Sequence, residues 1–146
     1  MSAPLYNTDI LRLAASIPHH ARLPDAHGSA ERRSPICGSR VTVDVNLGED
    51  GRVAEVGLLV RACALGQASA SLMAAHARGR TREDLARARD SLAGFLRGER
   101  EDPGAWPGLE IFAGARRFPA RHASILLAFE AAAEAAALAG AQSARP

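Results

Sequence analysis

The clearest pattern in the chain is an alternation of apolar and polar residues on both sides of a short turn. Apolar residues occupy every second position through residues 41–47 and again through residues 54–60, with Gly, Glu, Asp and Gly at 48–51 between them. A period of two is typical of strands with one buried face, and this turn composition favours a tight reversal. The pattern therefore predicts an antiparallel hairpin.

Helical patterns fill much of the remaining sequence. Apolar spacing, alanine content and helix start and stop signals predict helices in residues 4–17, 63–78, 81–98 and 119–140, with a short helical piece in 109–115. Thr81, followed by acidic residues, is a typical N-cap with a favourable first turn. The long alanine run of the last segment favours a helix because alanine is the best helix former.

Irregular segments separate these elements. Residues 17–35 are polar and rich in histidine and charge, which predicts a loop that can include one ragged edge strand. Residues 99–108 predict a connector and residues 141–146 a frayed tail. Residues 1–146 are therefore expected to form one α+β domain, a small antiparallel β-sheet packed on one face by about four to five helices.

Composition narrows the class of protein. The 146 residues include 18 basic and 16 acidic side chains, a net charge of +2 that gives no argument for nucleic-acid binding. No apolar run is expected to reach the roughly 20 residues that cross a bilayer, and no signal pattern opens the chain. A cytoplasmic protein with reduced thiols is the expectation, with neither nucleic acid nor membrane as a partner.

The candidate chemistry centres on Cys63, where the second predicted strand gives way to a helix. The free N–H groups and dipole at a helix start favour the thiolate, the form that attacks electrophiles and binds metals. The only other cysteine, Cys37, precedes the first predicted strand, and the hairpin should bring the two sulfurs near each other. By themselves two cysteines are a weak signal, because buried cysteine often behaves as a small apolar side chain.

Histidines and arginines supply weaker candidates. Three of the five histidines lie in residues 17–35 and are expected to be solvated. His122 opens the final helix, either as a first-turn side chain or as a metal ligand. A small basic cluster precedes it, either a solvated face or a partner surface: Arg116, Arg117 and Arg121.

Four stretches, taken in order, resemble the U-type iron–sulfur cluster assembly scaffolds (IscU, SufU and the N-terminal domain of NifU). Residues 5–11 are similar to the opening helix of that family, and Pro-Ile-Cys-Gly at 35–38 to its first-cysteine loop. Residues 63–73, with Ala-Ser-Ala-Ser-Leu-Met after the cysteine, resemble its second-cysteine helix. Residues 92–121 are similar to the longer connector of the SufU branch.

The resemblance implies a SufE/NifU-like fold and a scaffold rather than a turnover enzyme. In that family three cysteines and an aspartate gather at one end of the molecule and hold a nascent two-iron cluster or one zinc ion. A cysteine desulfurase delivers sulfur to one of the thiolates. For this chain the resemblance implies binding of iron, a nascent cluster or zinc through Cys37 and Cys63, with Cys63 as the persulfide acceptor. A cysteine desulfurase and apo iron–sulfur target proteins are the implied partners.

The chain departs from the family pattern at two ligand positions. Ser39 stands in place of the aspartate. Extending without gaps from residues 118–121 puts the third cysteine on Ser124, whereas matching the family's His-Cys-Ser-Ile-Leu to residues 122–126 puts it on Ala123. His122 is then a candidate third metal ligand, and Ser39 and Ser124 occupy degenerate positions.

Three alternatives stay open beside the scaffold hypothesis. A zinc-dependent sulfurtransferase of SufU type would relay persulfide without building a cluster. A degenerate member would act only as a partner-binding module, through the surface around Arg121. An unrelated α+β domain would simply contain two incidental thiols. Because two thiolates and one imidazole leave a coordination position open, such a site suits transient assembly and equally suits a relic.

Overall fold

A computed structural model of the chain describes residues 6–35 and 38–143. The elements in chain order are α1 (Thr8–Ala14), β1 (Gly28–Arg33), β2 (Arg40–Leu47), β3 (Val53–Arg61), α2 (Ala64–His76), α3 (Arg82–Leu96), 3₁₀ helices at Leu109–Ala115 and Pro119–Arg121, and α4 (His122–Ser143). Cys37 and Ile36 lie outside the described residues.

The three strands form one antiparallel sheet in the order β1-β2-β3. Val43 on the central strand pairs with Ala30 on one side and with Leu58 on the other. All three side chains are buried, which makes this row part of the sheet's inner face. The predicted hairpin is β2 and β3, and its turn closes with Gly51 at a positive φ of 77°.

The helices pack on the inner face of the sheet. α4 lies across β1 and β2, α2 lies beside it against β3, α3 packs on α4, and α1 packs on α2. Alanine suits α4 because the helix is enclosed by the sheet and two helices, so small side chains allow close approach. At Gly28 a Cβ would meet the backbone of α4 at Ala135. The predicted α+β architecture is confirmed.

The outer face of the sheet is crossed by residues 18–27, which we call the strap. Asp44, 0% exposed, fastens it by accepting hydrogen bonds from Arg22 Nε at 2.7 Å and from the Leu23 amide at 2.9 Å. Ser29 Oγ also donates to this carboxylate, at 2.6 Å. Burial opposes ionisation, but these hydrogen bonds outweigh it and lower the pKa of Asp44.

Histidines in the strap complete backbone hydrogen bonds of the sheet. The Val60 amide donates to His20 Nε2 at 3.3 Å, and the Leu47 amide donates to His27 Nδ1 at 3.2 Å. The Leu58 amide donates to the His19 carbonyl at 3.1 Å. The expectation of solvated side chains agrees with the exposed His19 and His20, whereas His27 is half-buried.

The ends of α1 and α4 differ from the sequence predictions. α1 begins later than residue 4 because Asn7 caps it, its Oδ1 accepting from the Ile10 amide at 2.9 Å, and it ends at Ala14. Residues 17–35 include the edge strand that the sequence allowed, since β1 pairs with β2 inside that range. α4 continues past Gly140 to Ser143, so the first residues of the predicted tail are helical.

One helix of the described chain could cross a membrane by length and composition alone. That segment, Pro119–Ala141, corrects the expectation that no apolar run approaches such a length. About 61% of its most apolar window is buried inside the protein. This burial against the sheet and neighbouring helices is typical of a core helix.

Candidate functional site

Cys63 lies at the junction that the sequence predicts. It is the N-cap residue of α2, with φ −67° and ψ 172°, and its side chain makes no capping hydrogen bond. The half-buried thiol instead contacts Ser124 across the molecule, with Sγ and Oγ 3.2 Å apart. Either atom can be the donor, so this hydroxyl can accept from the thiol or donate to the thiolate.

Two buried serines extend this contact into a small cluster. Ser124 Oγ also lies 3.3 Å from Ser39 Oγ, although the residues are 85 positions apart in the chain. Ser39 immediately precedes β2, and Ser124, 1% exposed, lies in the first turn of α4. The structure therefore brings together Ser39, Cys63 and Ser124, which we call the Ser39–Cys63–Ser124 cluster.

Gly66 explains how α2 approaches α4 so closely. A Cβ at this position would lie 2.7 Å from Ser124 Oγ and 3.2 Å from the Ser124 carbonyl oxygen. One turn further along α2, Ser69 Oγ donates to the Ile125 carbonyl at 2.6 Å. Small residues at the start of α2 thus hold the Cys63 end of the helix against the first turn of α4.

Ala123 and Ser124 lie in different surroundings. Ser124 contacts Cys63, whereas Ala123 lines a cavity of about 610 Å³ together with Pro35, Leu126 and Leu127. Among the described residues, that cavity does not include the members of the Ser39–Cys63–Ser124 cluster. Of the two positions that the resemblance allows for the missing cysteine, the geometry favours Ser124.

His122 is the first residue of α4 and is half-buried. Its Nε2 lies 2.9 Å from the Ala115 carbonyl oxygen. Because a carbonyl only accepts, Nε2 must carry the proton, and Nδ1 alone would be available to a metal. The third-ligand role of His122 stays a prediction.

Cys37 lies outside the described residues, but the loop that carries it begins and ends beside the cluster. The Ser34 amide donates to the Ser39 carbonyl at 2.8 Å, and the Gly38 amide donates to the Ser34 carbonyl at 3.1 Å. That the two sulfurs meet stays a prediction.

The arginines before α4 have different surroundings. Arg116 donates to the Phe95 and Arg100 carbonyls, at 2.8 and 3.0 Å, and its guanidinium lies over the Phe95 ring. Arg117 stacks over Phe118. Arg121 is exposed. Arg116 thus links residues 99–108 to α3. Its guanidinium is therefore a poor candidate for a partner-binding surface.

The donor set does not fit a closed zinc site. Zinc in such a site takes four sulfur, imidazole or carboxylate ligands. The whole chain has two cysteines, and within the described residues no group of three or more His, Cys, Asp or Glu side chains could hold a metal ion. The cluster offers two neutral hydroxyls where two ligands would be required.

Comparison with known proteins identifies the family of this chain. The family described as the NifU-like N terminal domain matches residues 5–105. The chain belongs to this family. It is thus a member of the U-type iron–sulfur cluster assembly scaffold family.

Two curated relatives of this NifU-like chain are each named iron–sulfur cluster assembly scaffold protein IscU. The protein from Thermotoga maritima is 29% identical over 131 residues, which cover 90% of this chain and 92% of the relative. The protein from Streptococcus pyogenes serotype M1 is 26% identical over 119 residues, covering 81% and 74%. The likeness therefore includes the α4 region as well as the sheet.

Solved structures show the same fold. A nitrogen-fixing NifU-like protein (N-terminal) from Brucella abortus superimposes with a TM-score of 0.88 at 35% identity, covering 94% of this chain and 95% of that one. A SufU structure from Fervidobacterium islandicum AW-1 gives a TM-score of 0.83 at 20% identity, covering 90% and 96%, which shows the fold alone.

Sequence reasoning missed one polar residue at this end of the molecule. Ser34 is 3% exposed, and its Oγ has no hydrogen-bond partner among the described residues. No local sequence pattern marks it, because only the strand register, one step beyond the Arg33–Arg40 pair, places it opposite Ser39.

Proposed function

We propose that this NifU-like protein is a scaffold of iron–sulfur cluster assembly whose cargo is held at Cys63, with Cys37 as the second thiolate. A cysteine desulfurase would supply the sulfur, and apo iron–sulfur proteins would receive the product. The single observation that supports this most strongly is the contact of Cys63 Sγ with Ser124 Oγ at 3.2 Å, because it joins two residues that the resemblance proposes as ligand positions.

The sulfur step needs one nucleophilic thiolate. The Cys63 thiolate would attack the outer sulfur of a persulfide on the desulfurase, whose cysteine then leaves as a thiolate. One S–S bond forms and one breaks, so there is no net oxidation or reduction. Before the attack the Cys63 thiol must lose its proton, and the thiolate can then accept a hydrogen bond from Ser124 Oγ.

Because the chain supplies only two cysteine thiolates, we predict that an iron–sulfur cluster is weakly bound. Iron–sulfur clusters usually take four protein ligands, with histidine as an occasional substitute for cysteine. Two thiolates leave positions that water, a small thiol or a partner side chain must fill. A cluster held in this way suits transfer rather than storage.

Anaerobic reconstitution tests the scaffold proposal. The purified chain is incubated with ferrous iron, L-cysteine, a cysteine desulfurase and dithiothreitol as the reductant of persulfide sulfur, and visible absorbance, iron and acid-labile sulfide are measured per chain. We expect a labile cluster in the wild type and none in Cys63→Ser or Cys37→Ser. A folded wild-type protein that gains neither absorbance nor sulfide would contradict the proposal.

A persulfide relay is the second candidate. It is favoured by the donor set, because Cys63 lies among hydroxyls that can hydrogen-bond sulfur but are poor ligands for a soft metal. Without iron, intact-mass spectrometry should then show one added sulfur atom on Cys63 after incubation with desulfurase and L-cysteine. A sulfur adduct with no cluster in the reconstitution assay selects the relay over the scaffold.

The binding-module alternative makes a separate prediction. Replacing both Cys37 and Cys63 by serine would leave desulfurase binding unchanged if contacts of the Arg121 surface were the whole function. The scaffold proposal also leaves desulfurase binding intact in the double variant, so the wild type decides: we expect it to accept sulfur and iron, whereas a pure binding module would accept neither. Isothermal titration calorimetry and the two assays above separate these outcomes.

A further inference from the structure

A second cavity, of about 320 Å³, lies between α3 and the connector of residues 99–108. We call it the arginine cavity, because Arg80, Arg87 and Arg100 line it, with Asp84 as the carboxylate among its described lining residues. Cavities of roughly 300–1,000 Å³ are typical of small-molecule sites. This cavity therefore has the size of a small ligand site and an excess of positive charge in its lining.

Arg80 is fixed in the arginine cavity by two uncharged groups. Its guanidinium lies over the ring of Trp106, 5.1 Å from the ring centroid, and its Nε donates to the His76 carbonyl at 3.1 Å. Neither partner carries a negative charge, so these contacts hold the guanidinium in place without neutralising it. Trp106 itself also lines the cavity.

Arg100 and Ser91 form another part of the lining. Arg100 Nη1 donates to Ser91 Oγ at 2.9 Å, which leaves the hydroxyl proton of Ser91 to be donated to an acceptor in the cavity. The connector lies close to α3 here, since a Cβ at Gly104 would be 2.6 Å from Ser91 Cβ. Arg100 Nη2 also contacts Asp102 at 3.2 Å, in a pair that is exposed on both sides.

Arg87 forms only a loose ion pair. Its Nη1 lies 3.8 Å from Asp84 Oδ1, and its side chain is 79% exposed. Exposed pairs of this kind contribute little to stability, so Arg87 can turn toward a bound anion at small cost. Asp84 Oδ2 is committed to the cap of α3, where it accepts from the Thr81 amide at 3.0 Å. One carboxylate therefore leaves the three guanidiniums unbalanced.

These groups follow α3 as a row. Asp84, Arg87 and Ser91 are three or four residues apart, so they lie on one face of the helix and extend about 10 Å along it. Arg80 precedes this face, and Arg100 lies beside its far end at Ser91. A single small anion can contact only part of such a row, whereas a chain of linked anionic groups can contact all of it.

We propose that the arginine cavity binds a short chain of phosphate groups, as in inorganic triphosphate or the triphosphate of a nucleotide. Guanidinium groups stay charged and bind phosphate oxygens through paired N–H donors, and the Ser91 hydroxyl adds a further donor. An acidic peptide offers similar charge, but a cavity of about 320 Å³ fits a compact phosphate chain better than a peptide. This site goes beyond the proposed function and needs neither sulfur nor metal at Cys63.

Trp106 reports occupancy of the cavity, because it is the single tryptophan of the chain and lies beneath Arg80. The purified protein is titrated with inorganic triphosphate at low ionic strength, since salt screens such contacts. We expect one triphosphate per chain by calorimetry and a saturable change in Trp106 emission with the same dissociation constant. Orthophosphate, which reaches only part of the row, should bind about tenfold more weakly or less.

Arg87→Gln and Arg100→Gln should each weaken triphosphate binding about tenfold, because each removes charged hydrogen bonds. The exposed position of Arg87 makes its replacement safe for the fold. Arg12→Gln is the matched control, since Arg12 forms the same kind of exposed pair on α1, with Asp9 at 3.8 Å. It removes the same charge and should leave the affinity unchanged.

ATP distinguishes the two sources of the phosphate chain. Equal affinities for ATP and triphosphate show recognition of the phosphates alone, and a higher affinity for ATP shows contacts to the nucleoside as well; both support the proposal. Four results would overturn it: no saturable binding of triphosphate, binding without a change in Trp106 emission, tighter binding of a glutamate-rich peptide, or equal weakening by Arg12→Gln.

Discussion

At the residue scale, two hydroxyls decide what this end of the molecule can bind. We propose that Ser39 and Ser124 occupy the positions of the family's carboxylate and third thiol; their Oγ atoms are 3.3 Å apart. A serine hydroxyl is neutral at pH 7, whereas zinc and iron favour deprotonated sulfur, imidazole and carboxylate donors. The shortage of ligands thus follows from two side chains, while the surrounding fold is that of the family.

Restoring the two ligands should restore metal binding. The double variant Ser39→Asp with Ser124→Cys adds a carboxylate and a third thiol next to Cys63. Because structural zinc is bound with roughly 10–16 kcal/mol at pH 7, we expect close to one zinc per chain in the purified variant and far less in the wild type. Elemental analysis of both proteins gives the answer.

The matched control carries the same new residue types at the alternative position. Ser39→Asp with Ala123→Cys places the added thiol beside the cavity lined by Pro35 and Leu126, so its zinc content should stay near that of the wild type. Zinc gained by the Ala123 variant and not by the Ser124 variant would show that the geometric choice between the two positions is wrong.

Asp44 is the residue on which the strap depends. Asp44→Asn removes the negative charge that accepts hydrogen bonds from Arg22. It also places an amide NH₂ group, itself a donor, near the donors of Arg22, Leu23 and Ser29. We expect about 2 kcal/mol of lost stability, because one partner of a buried hydrogen-bonded pair is replaced while Arg22 remains half-exposed to water. Urea unfolding at pH 7 measures the loss. Asp50→Asn, in the exposed turn, should change stability by less than about 0.5 kcal/mol.

The pH dependence of stability follows from the same carboxylate. Burial opposes its ionisation, but hydrogen bonds from Arg22, Ser29 and the Leu23 amide lower the pKa of Asp44 in the folded state below its unfolded value of about 3.9. The stabilisation is therefore fully present above that value and is lost as pH falls through the lower folded pKa. Unfolding measured from pH 6 down to pH 2 should show a shallower loss in Asp44→Asn than in the wild type.

At the element scale, the start of α2 and the start of α4 form the site because no side chain separates them at Gly66. Gly66→Ala should destabilise the protein by about 1–3 kcal/mol, since its Cβ would lie 2.7 Å from Ser124 Oγ and force the helices apart. This loss opposes alanine's advantage of about 1 kcal/mol in a helix. Alkylation of Cys63 by iodoacetamide should also become faster, because its contact with Ser124 is loosened.

Gly140 provides the comparison within another helix. A Cβ there would be 3.5 Å from the nearest atom of Arg82, an ordinary contact. Gly140→Ala should therefore stabilise the protein by up to about 1 kcal/mol without changing Cys63 alkylation. Equal stabilisation of both alanine variants would contradict the close approach described for α2 and α4.

Most helices and strands could be predicted because apolar spacing and helix caps within each segment determine them. The hairpin follows from alternation, and the cap of α3 is a capping box in which the Asp84 amide donates to Thr81 Oγ1 and the Thr81 amide donates to Asp84 Oδ2. β1 was harder to recognise because Gly28–Arg33 is an edge strand with charged residues, and its pairing with β2 is a long-range property. The late start of α1 likewise depends on the N-cap at Asn7 rather than on apolar spacing.

At the scale of the whole molecule, the candidate site forms where three connections meet. The loop before β2 contributes Ser39, the junction after β3 contributes Cys63, and the first turn of α4 contributes Ser124. The strap covers the outer face of the sheet, whereas Cys63 and Ser124 meet on the side of α4. The hydrogen bonds of Asp44 that hold the strap are therefore separate from the candidate site. Both faces of the central strand are thereby covered.

The resemblance proposed ligand positions in the sequence, but it gave no distances between them. The choice between Ala123 and Ser124 needed the packing of α2 on α4, which the missing side chain at Gly66 permits and no local pattern encodes. Ser34 needed the strand register, because only its pairing opposite Ser39 marks it as part of the same face. Long-range contacts therefore account for what the sequence alone left open.

The central claim is that the sulfur of Cys37 joins that of Cys63 at this end of the molecule. Mild oxidation of the metal-free protein, followed by digestion and mass mapping, tests it directly, since a disulfide requires Cα atoms about 4.4–6.8 Å apart. We predict a disulfide within one chain between Cys37 and Cys63 that forms faster in the folded protein than in urea. Two thiols that stay free in the folded protein, or that link only different chains, would contradict the claim.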